Sequence, residues 1–271
     1  MLLSVLAVAA AVTVPRGDAL VADTSGAMRI VRRDGRMVRT LRWKLDQEPQ
    51  EIELTPDRRH AYISLWRIDQ PAQLFVFDLA TGTRRYLADA ISPALSPDRT
   101  RLAYVSVNRD NDLHRRTALV IKTLRTGALQ TIPIVPADPI GTPPELVVNW
   151  APDSRHIALF SGRHVAFVDL GKTTVIPSRT PPATVPSFAP VYIGAFAVVV
   201  QANCCIGPQR LVVIDVDYRR RFTFATLSSP VEHVRPIAKG KLLVVTALHQ
   251  LAVITRGHVS IRARRIEAAA P

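Results

Sequence analysis

Cysteine is nearly missing from this chain: Cys204 and Cys205, side by side, are the only two. A multi-disulfide framework is therefore excluded. With no Cys-x2-Cys spacing and no histidine nearby, a metal site at this pair is disfavoured. Adjacent cysteines close a disulfide only over a strained peptide bond. The pair thus has two readings, a vicinal bridge that stiffens the Asn203–Pro208 loop in an oxidising compartment, or two thiols. Aromatic residues amount to 6%, few for the stacked platforms that hold single-stranded nucleic acid. Acidic groups are also short, 22 Asp and Glu against 35 Lys and Arg, for a formal charge of +13. Five of the basic residues are lysines, at 44, 122, 172, 239 and 241. The arginines spread along the whole chain instead of forming one basic segment, so no nucleic-acid partner is expected. Together with much Ala, Val and Pro, they reflect the coding bias of a GC-rich genome. Positive surface still favours anionic partners such as lipid headgroups or acidic envelope polymers.

Long apolar runs are absent too. Met1–Val14 has the composition of a signal-peptide core, yet no basic segment precedes it and it is too short to span a bilayer. Three readings stand: a secretory signal, the end of a membrane anchor, or a first strand of the fold in a cytosolic protein. The first two place the rest of the chain, 15–271, outside the cytoplasm and allow membrane association through the N-terminus. No helix of useful length is visible, and no Gly-x-Ser-x-Gly elbow marks a hydrolase.

What the chain does have is a repeated phrase. It reads Leu54-Thr55-Pro56-Asp57-Arg58-Arg59-His60-Ala61-Tyr62, then Leu95-Ser96-Pro97-Asp98-Arg99-Thr100-Arg101-Leu102-Ala103, then Trp150-Ala151-Pro152-Asp153-Ser154-Arg155-His156-Ile157-Ala158. Each joins an apolar residue, a Pro-Asp turn and a short apolar strand that starts at the alanine. With proline as the ruler, Pro15, Pro190 and Pro236 extend the series, and Ala10–Val14 is then an innermost strand of the first repeat. A second hairpin follows each phrase, as in Met28–Val31 with Met37–Leu41, Leu74–Asp78 with Arg84–Leu87, and Ala118–Thr123 with Leu129–Ile132. Its turns carry glycine, as in Ala80-Thr81-Gly82 and Arg125-Thr126-Gly127. The spacing matches four-stranded blades and predicts an all-β fold, a six-bladed β-propeller of four-stranded antiparallel blades in one domain, 15–271. Closing such a ring needs both ends of the chain. If strands from both ends mix, the termini meet in one blade.

The phrase Leu-Ser-Pro-Asp-x4-Ala-Tyr-Val-Ser at 95–106 resembles the Ser-Pro-Asp-Gly repeat of TolB-like six-bladed propellers, which are related to WD-type repeats. The departures are clear. The turn glycine is replaced by Arg58, Arg99 and Ser154, the first copy is one residue shorter before its alanine, and the repeats at Pro15, Pro190 and Pro236 lack the aspartate. The resemblance implies a bacterial, extracytoplasmic, non-catalytic scaffold, a monomer without cofactor that binds a protein or envelope component.

Few residues nominate a site. Arg109, Asp110, Asp112, His114, Arg115 and Arg116 form a polar excursion, either a solvated loop or a recognition loop at a channel mouth. His60 and His156 occupy matching places in two repeats, which points to a structural role, since a catalytic base appears once. Trp43, Trp66 and Trp150 read as packing residues. A channel-metal hydrolase of the lactonase type has only generic candidates in Glu53, Asp89, Glu145 and Glu232. The sensor half of a membrane-anchored regulator is the other alternative.

Overall fold

The computed structural model describes residues 12–32, 36–67, 70–107, 117–134, 147–161, 164–171, 174–176, 191–192, 197–202, 209–215, 221–229, 231–238, 241–246, 248–264 and 266–270. Among them every regular element is a strand. The expected hairpins are present, often a residue or more longer at one end.

The first sheet has the order β23-β1-β2-β3, from β1 (Ala19–Asp23), β2 (Ala27–Val31), β3 (Met37–Lys44) and the C-terminal β23 (Ile266–Ala270). Leu20 faces Ala270 and Asp23 faces Ile266 in an antiparallel register. The two ends of the chain therefore meet in one sheet. This corrects the expectation of an innermost strand at Ala10–Val14: Val12–Val14 belongs to no strand, and β23 fills the edge of β1.

Next comes a seven-stranded sheet, β4 (Glu48–Leu54) through β10 (Leu129–Ile134). Its middle strand is β7 (Arg84–Leu95), flanked by β5 (His60–Arg67) and β6 (Gln70–Asp78) on one side and by β8 (Arg101–Ser106) and β9 (Thr117–Thr123) on the other. The first part of β7 pairs with β6 and the second with β8. Between Ile91 and Ala94 the register shifts, at Ser92 with φ 56° and Pro93. A bulge at a proline bends a strand without wasting a donor, so one strand serves two four-strand meanders.

Three four-stranded meanders follow: β11 (Val147–Trp150) to β14 (Thr174–Ile176), β15 (Val191–Tyr192) to β18 (Arg221–Leu227), and β19 (Val231–Ala238) to β22 (His258–Arg264). Pro236 does not start a turn as the proline ruler expects. It lies inside β19 opposite Leu242, next to a register shift. Pro190 lies outside the described residues.

Apolar cores form between neighbouring meanders. Leu20, Met28, Ile52 and Ile63 join the first sheet to β4–β7, and Val105, Ile121, Trp150 and Ile157 join β7–β10 to β11–β14. Val21 and Val31 pack on Val245 and Leu251, joining β19–β22 back to the first sheet. Fully burying such a side chain is worth about 1.5–3 kcal/mol. Stability thus comes from each sheet covering the next, with β23 removing the free edge of β1.

Candidate binding site

In an antiparallel meander the first and third connections lie at one end. The Pro-Asp turns are first connections, and each is built in the same way. Asp57 Oδ1 accepts Thr55 Oγ1–H at 2.6 Å and Arg59 N–H at 2.9 Å, and Arg58 N–H reaches Thr55 O at 2.9 Å. Asp98 takes Ser96 Oγ–H at 2.5 Å and Thr100 N–H at 3.1 Å, and Asp153 takes Arg155 N–H at 2.9 Å. The residues that replace the turn glycine, Arg58, Arg99 and Ser154, have φ of 55°, 57° and 57°, the left-handed conformation that glycine adopts without cost. The missing residue before the first alanine is no deletion. Ala61 faces Leu54 as Leu102 faces Leu95 and Ile157 faces Trp150, so the turns have equal length and the alanine has moved along its strand.

These positions stitch neighbouring meanders together. Arg58 is buried and donates through Nε to Val14 O at 2.8 Å, and through Nη2 to Pro15 O at 3.1 Å and Asp18 O at 2.8 Å. Ser154 Oγ accepts Asp98 N–H at 3.0 Å, and Arg101 donates to Ser154 O at 2.7 Å. Trp150 Nε1–H reaches Ala94 O at 2.9 Å and Trp43 Nε1–H reaches Leu79 O at 3.1 Å, the packing roles expected of both. The Trp66 side chain is outside the described residues.

His60 and His156 prove equivalent in detail. His60 Nδ1 lies 3.0 Å from Asp57 and Nε2 3.7 Å from Asp78; His156 Nδ1 lies 2.5 Å from Asp153 and Nε2 3.7 Å from Asp169. Asp78 and Asp169 carry no sequence signal of this role. They end the strands that pair with His60 and His156, a relation visible only once the register is known. The five carboxylates all titrate low. For Asp57 and Asp153, burial pushes upward but hydrogen bonds from Thr55 and the Arg155 amide, with the histidines, outweigh it. Asp98 follows the same pattern with Ser96. The Thr81 amide lowers Asp78, and the Arg155 guanidinium at 2.8 Å holds Asp169 at about 2.

Beside the first of these clamps opens a cleft of about 670 Å³ between the β4–β7 and β7–β10 meanders. Pro56, Tyr62, Val76 and Leu124 supply apolar wall, while Asp57, His60, Asp78 and Arg85 supply polar groups. Burial raises the Tyr62 phenol, and the positive charge of Arg85 works against that rise. Neighbouring Arg84 is committed elsewhere, with two bonds to Asp46 at 2.6 and 3.2 Å and its guanidinium 4.9 Å above the Phe75 ring. The combination of apolar wall and few fixed polar groups suits recognition of a peptide or small molecule.

Arg109, Asp110, Asp112, His114, Arg115, Arg116, Cys204, Cys205 and Glu145 lie outside the described residues, as does the side chain of Glu232. Among the described residues no three His, Cys, Asp or Glu side chains group to hold a metal, and no helix is long and apolar enough to cross a membrane.

The sequence matches no protein-family model and no curated protein. Solved structures do match. TolB from Acinetobacter baumannii superposes with a TM-score of 0.66 at 13% identity, over 93% of this chain and 65% of that one. A putative TolB from Agrobacterium tumefaciens gives 0.65 at 10%, over 93% and 92%. The β-propeller domain of Cps50 (Swd1) from Myceliophteria thermophila gives 0.55 at 15%, over 92% and 83%. The fold is that of a TolB-like β-propeller. At these identities the likeness defines the propeller and leaves its task to be argued from the site. The chain spans less than two thirds of the Acinetobacter protein.

Proposed function

We propose that this chain is a non-catalytic binding scaffold, a monomeric propeller of six four-stranded blades held outside the cytoplasm, which recognises a protein or cell-envelope component. The cleft beside Tyr62 carries the reading. Its carboxylates are occupied by turn amides and histidine and Arg84 is tied to Asp46, leaving a shaped wall with the exposed cation Arg85 instead of a reactive group aimed at a substrate. The six-blade count is supported by the meanders when β7 is counted in two of them. The extracytoplasmic location is supported by the signal-like composition of Met1–Val14. Oxidation of Cys204 to Cys205 and a second contact through Arg109–Arg116 belong to the same proposal.

The test is site-directed photocrosslinking in the native host with the probe at position 85, read beside mass spectrometry of fractionated cells. The expected result is a discrete adduct that disappears when Leu124→Arg blocks the cleft, and a mature chain trimmed of its first residues outside the cytoplasm. Adducts indifferent to Leu124→Arg overturn the cleft reading. An intact cytosolic chain overturns the location.

A further inference from the structure

Among the described residues the two ends of the meanders differ in charge. First connections carry Arg16, Arg58, Arg59, Arg99 and Arg155 against Asp18, Asp57, Asp98 and Asp153, and those last three aspartates are bonded within their own turns. Third connections, at the same end, carry Arg32, Arg36, Arg125 and Arg256 and no acid among the described residues. Second connections, at the other end, show Thr24, Ser25, Gly26, Val107, Leu248 and His249, without one charged Asp, Glu, Lys or Arg among the described residues. The Asp78 and Asp169 strand ends on the basic face are already engaged by His60 and Arg155.

The basic groups lie on both the inner and the outer hairpins of the meanders. Val14–Asp18 meets Arg58 across sheets, and Arg58 is held below its ordinary value first by burial, then by the charges of Arg99 and Arg16. Arg16, Arg32, Arg59 and Arg125 are exposed and make no ion pair among the described residues. Beside the third connections stand exposed apolar side chains: Met37 and Val38 directly after Arg36, and Leu129 after the Arg125 turn, at 58%, 45% and 62% exposure. Arginines dispersed over several connections suit an extended anionic plane better than a linear chain that tracks one groove. Apolar residues among them suit the boundary between headgroups and acyl chains. The apolar N-terminal segment also enters the fold on this face, at Val12–Val14.

We propose that this arginine-rich face docks on a membrane surface of anionic phospholipid, with the phosphates meeting the arginines and Met37, Val38 and Leu129 touching the interface. The inference goes beyond the binding-scaffold reading; the Tyr62 cleft, lined by Pro56, Asp57, Thr83 and Leu124, opens among the same connections, but the crosslink at position 85 and vesicle retention read the two separately.

Vesicle co-sedimentation of the full chain tests it, comparing pure phosphatidylcholine with mixtures holding about one third phosphatidylglycerol. Expected is retention on the anionic vesicles alone, falling steeply as salt rises from about 0.05 to 0.5 M. The triple variant Arg16→Ser, Arg59→Ser, Arg125→Ser is expected to weaken that retention about tenfold or more. A second triple, Thr24→Glu, Ser228→Glu, Leu248→Glu, changes the net charge equally through exposed second and fourth connections and is expected to bind like the parent. Equal loss in both triples overturns the proposal, because net charge alone then accounts for binding. Equal retention on phosphatidylcholine overturns it too. If the first triple loses heparin-agarose binding but keeps vesicle binding, the partner is a soluble acidic polymer and the membrane reading falls. Circular dichroism melts of both triples separate these results from misfolding.

Discussion

At the scale of single residues, the turn position that replaces glycine shows how one backbone conformation can serve two ends. Arg58, Arg99 and Ser154 share the left-handed conformation, which costs an L-residue about 1–2 kcal/mol. Arg58 offsets that cost with three bonds to carbonyls of the adjacent sheet, each worth about 1.5–3 kcal/mol when the donor is charged. Among the described residues no side-chain bond is found for Arg99. Arg58→Gly is therefore expected to lower the urea midpoint and Arg99→Gly to raise it, a difference in sign at equivalent positions. If both move the same way, the stitching role of Arg58 is wrong. The low-titrating carboxylates give a second expectation. Asp57, Asp78, Asp98, Asp153 and Asp169 lie below the ordinary 3.8 in the folded chain, with Asp169 at about 2. Between those values the unfolded chain takes up protons that the folded chain refuses, so their contribution is complete above about pH 4 and is lost as pH falls toward 2. Thermal melts across that window should show a falling midpoint, with a shallower slope in the Asp153→Asn, Asp169→Asn variant.

Among elements, β7 and the turn before it are the most constrained. A Cβ on Gly82, whose φ is 74°, falls 2.4 Å from Cγ of Trp43. Gly82→Ala is thus expected to displace the Trp43 ring from Phe77, on which it stacks at 5.4 Å, costing more than about 1 kcal/mol from the backbone alone. The readout is tryptophan fluorescence beside a melt. Ser92→Val places a β-branched residue at φ 56° and is expected to destabilise, while Ser92→Gly is tolerated. The elements also show what the sequence reveals and what it hides. The Pro-Asp turns are legible because their chemistry is local: ring, carboxylate and amide lie within a few residues. β23, Ile-Glu-Ala-Ala-Ala, is illegible because nothing in it alternates and alanine favours helix; contact with β1 and β4 makes it a strand. Half of each histidine clamp could be read from Pro-Asp-x-x-His at 56–60 and 152–156. The other half, Asp78 and Asp169, depends on strand register, and the cleft depends on two meanders meeting.

For the whole molecule, ring closure governs cooperativity. Cores join neighbouring sheets and join β19–β22 back to the first sheet, so a chain ended at residue 265 loses the partner of β1 and exposes a strand edge. Such a chain is expected to melt at lower temperature and to elute in size-exclusion chromatography partly as larger species. An unchanged melt would falsify the claim that β23 closes the ring. The basic groups gathered at one end of the meanders also operate at this scale, since long-range fields orient a molecule before any contact forms.

The pairing of Leu20 with Ala270 also sets a timetable. During synthesis, β1 leaves the ribosome long before its partner and waits, one edge bare, until Ile266–Ala270 has been added. Loop closure over such a separation is slow. For that interval the nascent chain holds a strand without its native partner, and a chaperone or export factor that shields Ala19–Asp23 would protect it until Ile266–Ala270 emerges.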